Sequence, residues 1–434
     1  MNVTLLDALS PELVGDTVQR AVALTGRLGP IHTLRDERFA PCQGCFECWV
    51  THPGTCKVKD DANAVMRDII GADEIIWALR PRLGCWDSVV KQALDRSIGL
   101  ILPFFTSVEG ETHHPARYPR FPRTGVVAVY DGEPPAEDVE RLRRLVARNT
   151  VNMHSRASWV AVVRPDASIE EVADAITTAR GRAHEGFLRL APFHRQGTAG
   201  VGAHADGSPR RALLVVASAK PAGQSTSEAL GRAVLDRLAA RGWSVDVAHL
   251  AALVKLSRTD APGLERRVEA SDLVIFATPV YVDCIPAVGL AALERLADGH
   301  IPRDGRPAML PIVHCGFPEL EHTALALEVL AAAADQLGWG WAGHLAVGGG
   351  GVLTADALAA GVGPAAHAVA AIDATVEALD RGLPVPMAAT AEFALPYLSA
   401  SVYRLAGSAG WLWHAWQNGA LLDLGARPFE AADG

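Results

Sequence analysis

The chain has 434 residues, a formal net charge of −9 and 49% apolar residues. Its length exceeds one ordinary domain and suits two or three, and its composition is that of a globular protein with a real core. The negative charge excludes nucleic-acid or anionic-membrane binding by bulk electrostatics, while leaving room for a small anion held by local basic residues or backbone amides.

The N-terminus has no basic residue ahead of its short apolar run and does not read as a secretory signal. The longest uncharged stretch, between Asp335 and Asp356, is crowded with glycine and does not read as a membrane helix. Seven cysteines, four of them within 42–56, do not resemble a secreted disulfide framework. The expected compartment is the cytoplasm.

In chain order, Val3–Asp7 is a short apolar run followed by Ser10-x4-Gly15-x-Thr17 and a helical pattern through Leu28. Glu74–Ala78 is a buried-strand run preceded by Ala72-Asp73. Gln196–Pro209, rich in Gly and Ala, reads as a linker. The pattern then returns. Leu213–Ala217 is followed by Ser218-x4-Gly223-x-Ser225 and a helical pattern through Ala240, and Leu273–Ala277 is preceded by Ser271-Asp272. The stretches 77–96 and 276–295 align without a gap. Short apolar runs alternating with helical patterns predict βαβ units and parallel sheets with helices on both faces. The expected division is domain 1 at 1–205, domain 2 at 206–388 and a tail at 389–434. The tail is tryptophan-rich and amphipathic, and is expected to dock on the domains or on a partner subunit.

A strand ending in a Ser/Thr-rich loop that opens a helix suits a phosphate, because free N–H groups and the positive end of the helix dipole face the anion. Domain 2 offers Ser218, Ser225, Thr226 and Ser227 as donors, Gly223 for a tight turn and Lys220 as a cation. Domain 1 has Glu12 where domain 2 has Lys220, and a carboxylate beside a phosphate is unfavourable. The simpler reading of such a loop is a helix N-cap.

Ser218-x-Lys220-x-x-Gly223-x-Ser225 resembles the phosphate loop of the NADPH-dependent FMN reductase and iron–sulfur flavoprotein superfamily. Thr278-Pro279-Val280-Tyr281 resembles that superfamily's loop along the isoalloxazine ring, and His314-Cys315-Gly316-Phe317 sits where a second flavin loop is placed. The resemblance implies two tandem flavodoxin-like, doubly wound α/β domains, with FMN on domain 2 and NAD(P)H as co-substrate. The cofactor-binding residues it implies are Ser218, Lys220, Gly223, Ser225, Thr226, Thr278, Pro279, Val280, Tyr281, Cys315, Gly316 and Phe317. Flavin sites of the superfamily tend to lie at subunit interfaces, which implies a homo-oligomer or a first domain acting as built-in partner. Domain 1 departs from the pattern, with Leu79-Arg80-Pro81-Arg82 where domain 2 has the aromatic loop. Arg80 and Arg82 read as a solvated surface or as an anion contact.

Cys42, Cys45, Cys48 and Cys56 have the spacing C-x2-C-x2-C-x7-C. Three readings stay open: a [4Fe–4S] cluster, structural zinc, and reduced structural thiols or a thiol redox pair. The segment resembles the cysteine motif of iron–sulfur flavoproteins, and equally a segment of flavodoxin-family oxidoreductases in which no cluster is assumed. Cys85 and Cys284 read as packing residues. His113 and His114 are adjacent and therefore diverge on a strand or helix, which disfavours a metal site. Gly348–Gly351 reads as a flexible loop after the fifth strand.

The function these readings predict is an FMN-dependent oxidoreductase of the NAD(P)H-dependent type acting on a small molecule. The alternative is an electron carrier or a cofactor-free scaffold with structural cysteines.

Overall fold

Glu74–Leu79 is buried along its whole length, as a strand covered on both faces of a sheet must be. The computed structural model describes residues 1–10, 16–255, 262–299 and 307–430. It falls into two compact units, Met1–Arg189 with Arg404–Gly434, and Leu190–Tyr403.

The first unit contains β1 (Asn2–Asp7), β2 (Arg27–Thr33), β3 (Glu74–Leu79), β4 (Thr106–Val108), β5 (Glu111–His113), β6 (Arg123–Val129) and β7 (Ser158–Val163). Five of them form a parallel sheet in the order β2-β1-β3-β6-β7, and β4 and β5 form a separate antiparallel pair. Leu5, Ile76, Val127 and Ala161 pack with Val22, Val172 and Ile176 of the helices Thr17–Thr25 and Ile169–Arg180. The alternate residues Leu6, Trp77 and Val126 are equally buried, so both faces are covered. Each such side chain contributes about 1.5–3 kcal/mol by leaving water.

A carboxylate lies within this core. Glu74 is fully buried, and its carboxylate accepts from Trp159 Nε1 at 2.9 Å and Arg180 NH2 at 2.5 Å. The Trp159 indole lies across β6, where a Cβ on Gly125 would stand 2.0 Å from the ring.

The second unit contains β8 (Arg211–Val216), β9 (Ser244–His249), β10 (Leu273–Pro279), β11 (Ala308–His314), β12 (Gly340–Trp341) and β13 (Leu345–Val347). Their order is β9-β8-β10-β11-β12, with β13 also pairing β11, and every pairing is parallel. In both sheets the first strand lies between the second and third, the flavodoxin-like doubly wound order. Helices Thr226–Ala239 and Ala366–Asp380 cover one face through Leu230, Val234, Ile372 and Val376. Helices Ala287–Asp298 and Ala324–Leu337 bury Leu290, Leu293, Leu327 and Leu330.

The stretch read as a linker is tied to the second unit. The N–H groups of Thr198 and Ala199 donate to the Trp341 carbonyl, and Val201 lies in the core. Its glycine serves close approach, because a Cβ on Gly200 would stand 1.8 Å from the Gly382 carbonyl. The stretch read as a tail divides. Helix Met387–Phe393 buries Phe393 in the second unit's core, whereas the chain from Arg404 onward belongs to the first unit. Among the described residues no helix is long and apolar enough to cross a membrane.

Candidate functional site

In the second unit, β8 runs into a loop that opens helix Thr226–Ala239. Ser218 is buried, and its Oγ accepts from the Lys220 N–H at 3.3 Å. Ser225 is the helix N-cap and accepts from the Glu228 N–H at 3.1 Å, so the capping role read in the sequence is present. Thr226 and Ser227 carry first-turn N–H groups that the helix itself cannot satisfy. Gly223 has φ +78°, with nothing within 4 Å of where a Cβ would stand. Its N–H donates to Glu228 Oε2 at 2.5 Å. Burial would raise the Glu228 pKa, but hydrogen bonds from His249, Gly223 and Arg232 hold it below the usual carboxylate range.

Lys220 is half-buried and, among the described residues, pairs with no carboxylate. Its charge acts on His314, at the end of β11. Burial first, and then Lys220, pushes the His314 pKa down to about 4, so the ring is neutral. His314 Nε2 lies 2.9 Å from Ser227 Oγ. The sequence placed His314 in a flavin-loop motif but gave no sign that it meets Ser227.

β10 ends in the second loop. Thr278 is buried, and its hydroxyl donates to the Pro279 carbonyl at 3.0 Å. The Val280 N–H donates to the His314 carbonyl at 2.9 Å, joining this loop to β11. Tyr281 and Cys284 then pair across a turn in which Val282 (φ 51°) and Asp283 (φ 54°) are both left-handed. Two consecutive left-handed residues define a type I′ turn, ordinarily the place of Asn and Gly. Asp283 is buried, with its Oδ1 3.3 Å from His322 Nδ1. The first unit has the same turn after β3. There Arg82 pairs with Cys85 around Leu83 (φ 56°) and Gly84 (φ 62°). Beside it, Arg80 is paired with Asp131.

The third loop follows β11. Cys315 is buried, its Sγ accepts from the Phe317 N–H at 3.3 Å, and burial pushes its pKa up to about 12. Gly316 has open space where a side chain would stand. The run read as a flexible glycine loop is pinned against these residues. The Gly349 and Gly350 N–H groups donate to the Phe317 and Cys315 carbonyls at 2.6 and 2.9 Å. A Cβ on Gly348 would stand 2.2 Å from the Pro318 carbonyl, so glycine is needed there for close packing.

Ser218, Lys220, Gly223, Ser225 and Thr226 thus share one sheet edge with Thr278–Tyr281 and Cys315–Phe317, the C-terminal edge of a parallel sheet. Open α/β sheets bind ligands in the crevice at that edge. The corresponding loop of the first unit, with Glu12 and Gly15, lies outside the described residues.

The four clustered cysteines lie in the first unit: Cys48 is buried, Cys42 and Cys56 are half-buried, Cys45 is exposed, and all are free thiols. Burial pushes Cys42 up to about 12 and Cys48 higher still. Among the described residues no three of their sulfurs lie within 4.8 Å of one another. Cys48, Trp49 and Val50 pack with Ile101, Ala415 and Leu424 in a small core of their own. The Trp49 ring lies 4.9 Å from Phe46, 5.1 Å from Trp411 and 4.6 Å from His114. His114 Nδ1 donates to the Phe104 carbonyl at 2.9 Å, and His113 Nε2 lies 3.3 Å from Glu111, so the two rings diverge as expected.

Residues 211–337 match the NADPH-dependent FMN reductase family. The match runs from β8 to the end of helix Ala324–Leu337 and contains all three loops. No curated protein sequence matches the chain. Similar solved structures include RosB with a bound 8-demethyl-8-formylriboflavin-5'-phosphate intermediate, 14% identical, covering 31% of this chain and 64% of RosB, TM-score 0.27. An azoreductase from Bacillus anthracis str. Sterne is 16% identical over 42% of this chain and 99% of its own, TM-score 0.29. An NADH:FMN oxidoreductase in its apo form is 17% identical over 42% of this chain and 94% of its own, TM-score 0.32.

Proposed function

We propose that the second unit binds FMN at the C-terminal edge of its sheet and that the protein is an NAD(P)H-dependent flavin oxidoreductase acting on a small acceptor. The observation that carries this reading is Lys220: a cation without a carboxylate partner among the described residues, in the loop that opens helix Thr226–Ala239, inside the segment that matches the reductase family. The open space at Gly223 and Gly316 fits a ligand lying against both loops.

Ser218, Lys220, Ser225 and Thr226 hold the phosphate through hydroxyl, ammonium and first-turn N–H groups. Gly223 gives the loop its turn, its own N–H being taken by Glu228. Thr278, Pro279, Val280 and Tyr281 line one side of the ring, and Cys315, Gly316 and Phe317 line the other loop. The neutral His314 fixes the Ser227 hydroxyl without adding a charge of its own. FMN, when bound, supplies the hydride chemistry, and the protein's part is to hold it and admit donor and acceptor. The proposed function draws no electron through Cys42, Cys45, Cys48 and Cys56.

The test is FMN titration of the purified protein, followed by its visible spectrum after gel filtration. Wild type is expected to retain flavin bands, and Lys220→Glu to bind at least about tenfold more weakly, the scale of one charged hydrogen bond. Equal affinity in the two proteins would refute the phosphate assignment. NADPH oxidation with a quinone acceptor then separates reductase from carrier, because a carrier shows none without a partner enzyme.

A further inference from the structure

Glu228 stands three residues after the N-cap Ser225, the place from which a first-turn carboxylate usually reaches back to the N-cap's own N–H. Here it reaches further. Its Oε2 accepts from the Gly223 N–H at 2.5 Å, two residues before the cap, so the carboxylate lies against the phosphate loop itself. Its Oε1 accepts from Arg232 Nε at 3.0 Å, and His249 Nε2 lies 2.9 Å from the same oxygen. The side chain is buried, and these partners keep it ionised at neutral pH.

The helix does not require a charge at that place. In the first unit the helix Thr17–Thr25 has Gln19 three residues after its N-cap Asp16, and no acidic residue in its first turn. Between Ala217 and Glu228, Lys220 and Glu228 are the only charged residues, so the loop and first turn carry no surplus charge. The His314 ring is neutral and adds none. Arg232 is half-exposed, and water screens its charge.

We infer that Glu228 is a specificity-determining residue of this loop, a resident carboxylate that ranks flavins by the negative charge they bring. The inference rests on the flavin reading of the second unit. A phosphate monoester carries about 1.5–2 negative charges at neutral pH. Lys220 and the first-turn N–H groups attract it, and the Glu228 carboxylate opposes it within the same turn of helix. Riboflavin, which has no phosphate, brings no charge for Glu228 to oppose. The loop therefore holds FMN through the placing of its donors, with an affinity below what those donors alone would give.

The test is fluorescence titration of the full chain with FMN and with riboflavin at neutral pH. Glu228→Gln keeps a carbonyl oxygen for the Gly223 N–H and removes the charge. It is expected to bind FMN about tenfold more tightly than wild type, with riboflavin affinity unchanged. Amide exchange of the flavin-free protein reports on the loop itself. Gly223 is expected to exchange at the wild-type rate in Glu228→Gln and at least about tenfold faster in Glu228→Ala. An unchanged ratio of FMN to riboflavin affinity overturns the inference and leaves the flavin site standing. Weaker FMN binding by Glu228→Gln does the same, because it makes the carboxylate a prop for the loop. Tighter binding with a fast-exchanging Gly223 amide also overturns it, crediting the released N–H rather than the charge. FMN binding by neither protein overturns the flavin reading and the inference with it.

Discussion

Ser227 Oγ and His314 Nε2 lie 2.9 Å apart, tying the first turn of helix Thr226–Ala239 to the end of β11. The bond requires a neutral imidazole that has left water, and the His314 pKa is accordingly pushed down to about 4. Between that value and the ordinary ~6.5 of histidine, the unfolded chain takes up a proton that the folded chain does not. Stability from this group is therefore complete above pH ~6.5 and is lost as pH falls toward 4. Burial pushes His344 of the same unit down to about 4 as well. Urea denaturation is expected to show a lower midpoint at acid pH, with His314→Gln flattening part of that slope. Identical slopes in wild type and variant would remove His314 from the account.

Gly125 faces the Trp159 ring in register across β6 and β7, with 2.0 Å between the ring and a would-be Cβ. Gly125→Ala forces the indole off its bond to Glu74 and is expected to cost about 2 kcal/mol through overpacking and a lost buried hydrogen bond. Gly71→Ala is the control, because nothing lies within 4 Å of its Cβ position. Denaturant midpoints of the two variants should separate clearly, and a Gly125→Ala protein as stable as wild type would contradict the geometry.

The two left-handed turns give substitutions of opposite sign. Val282 is a β-branched residue at φ 51° and only half-buried. Val282→Asn is expected to stabilise by about 0.5–1 kcal/mol, because Asn tolerates that backbone while branched side chains resist it. Leu83 occupies the matching place at φ 56° but is buried, so Leu83→Asn should destabilise by about 2 kcal/mol as lost burial outweighs relieved strain. Equilibrium unfolding curves measure both, and a common sign would mean that burial does not decide between the two positions.

Arg117 is a buried cation held by carbonyls. Its Nε donates to Gly99 at 2.7 Å, and NH1 to Leu424 and Ala426, each at 2.8 Å. Arg117→Ala leaves those carbonyls unsatisfied, at a cost of about 3 kcal/mol. Limited proteolysis should then cut between 418 and 430 on the order of 100 times faster, because cleavage follows local opening. An unchanged rate would show that the segment is held by its apolar contacts alone.

The βαβ organisation was legible because β3 and β10 are runs of apolar residues too short for helices and bounded by Asp and irregular loops. The gapless match of 77–96 with 276–295 was a reliable sign, because it falls on the same left-handed turn in both units. What sequence could not show is which hydrogen bonds the loops make internally. Ser225 spends its oxygen capping the helix, Gly223 gives its N–H to Glu228, and Thr278 turns its hydroxyl onto the backbone, none of which a motif reveals. Glycine misled twice for one reason. At Gly200 and Gly348 it serves close approach of two backbones, and composition alone reads that as flexibility.

The first unit is written at both ends of the chain, and this sets an order on its making. Residues 411–424 complete the core around Cys48 and Trp49, yet they are synthesised after the whole of the second unit. Translation from residue 190 to 403 takes on the order of 10–40 s, ample time for the second unit to begin folding while the first still lacks its closing piece. Through that interval Cys48 stands uncovered by Trp411 and Leu424. Whatever chemistry reaches that thiol during synthesis does so before residues 411–424 arrive, and their packing is the event that covers it.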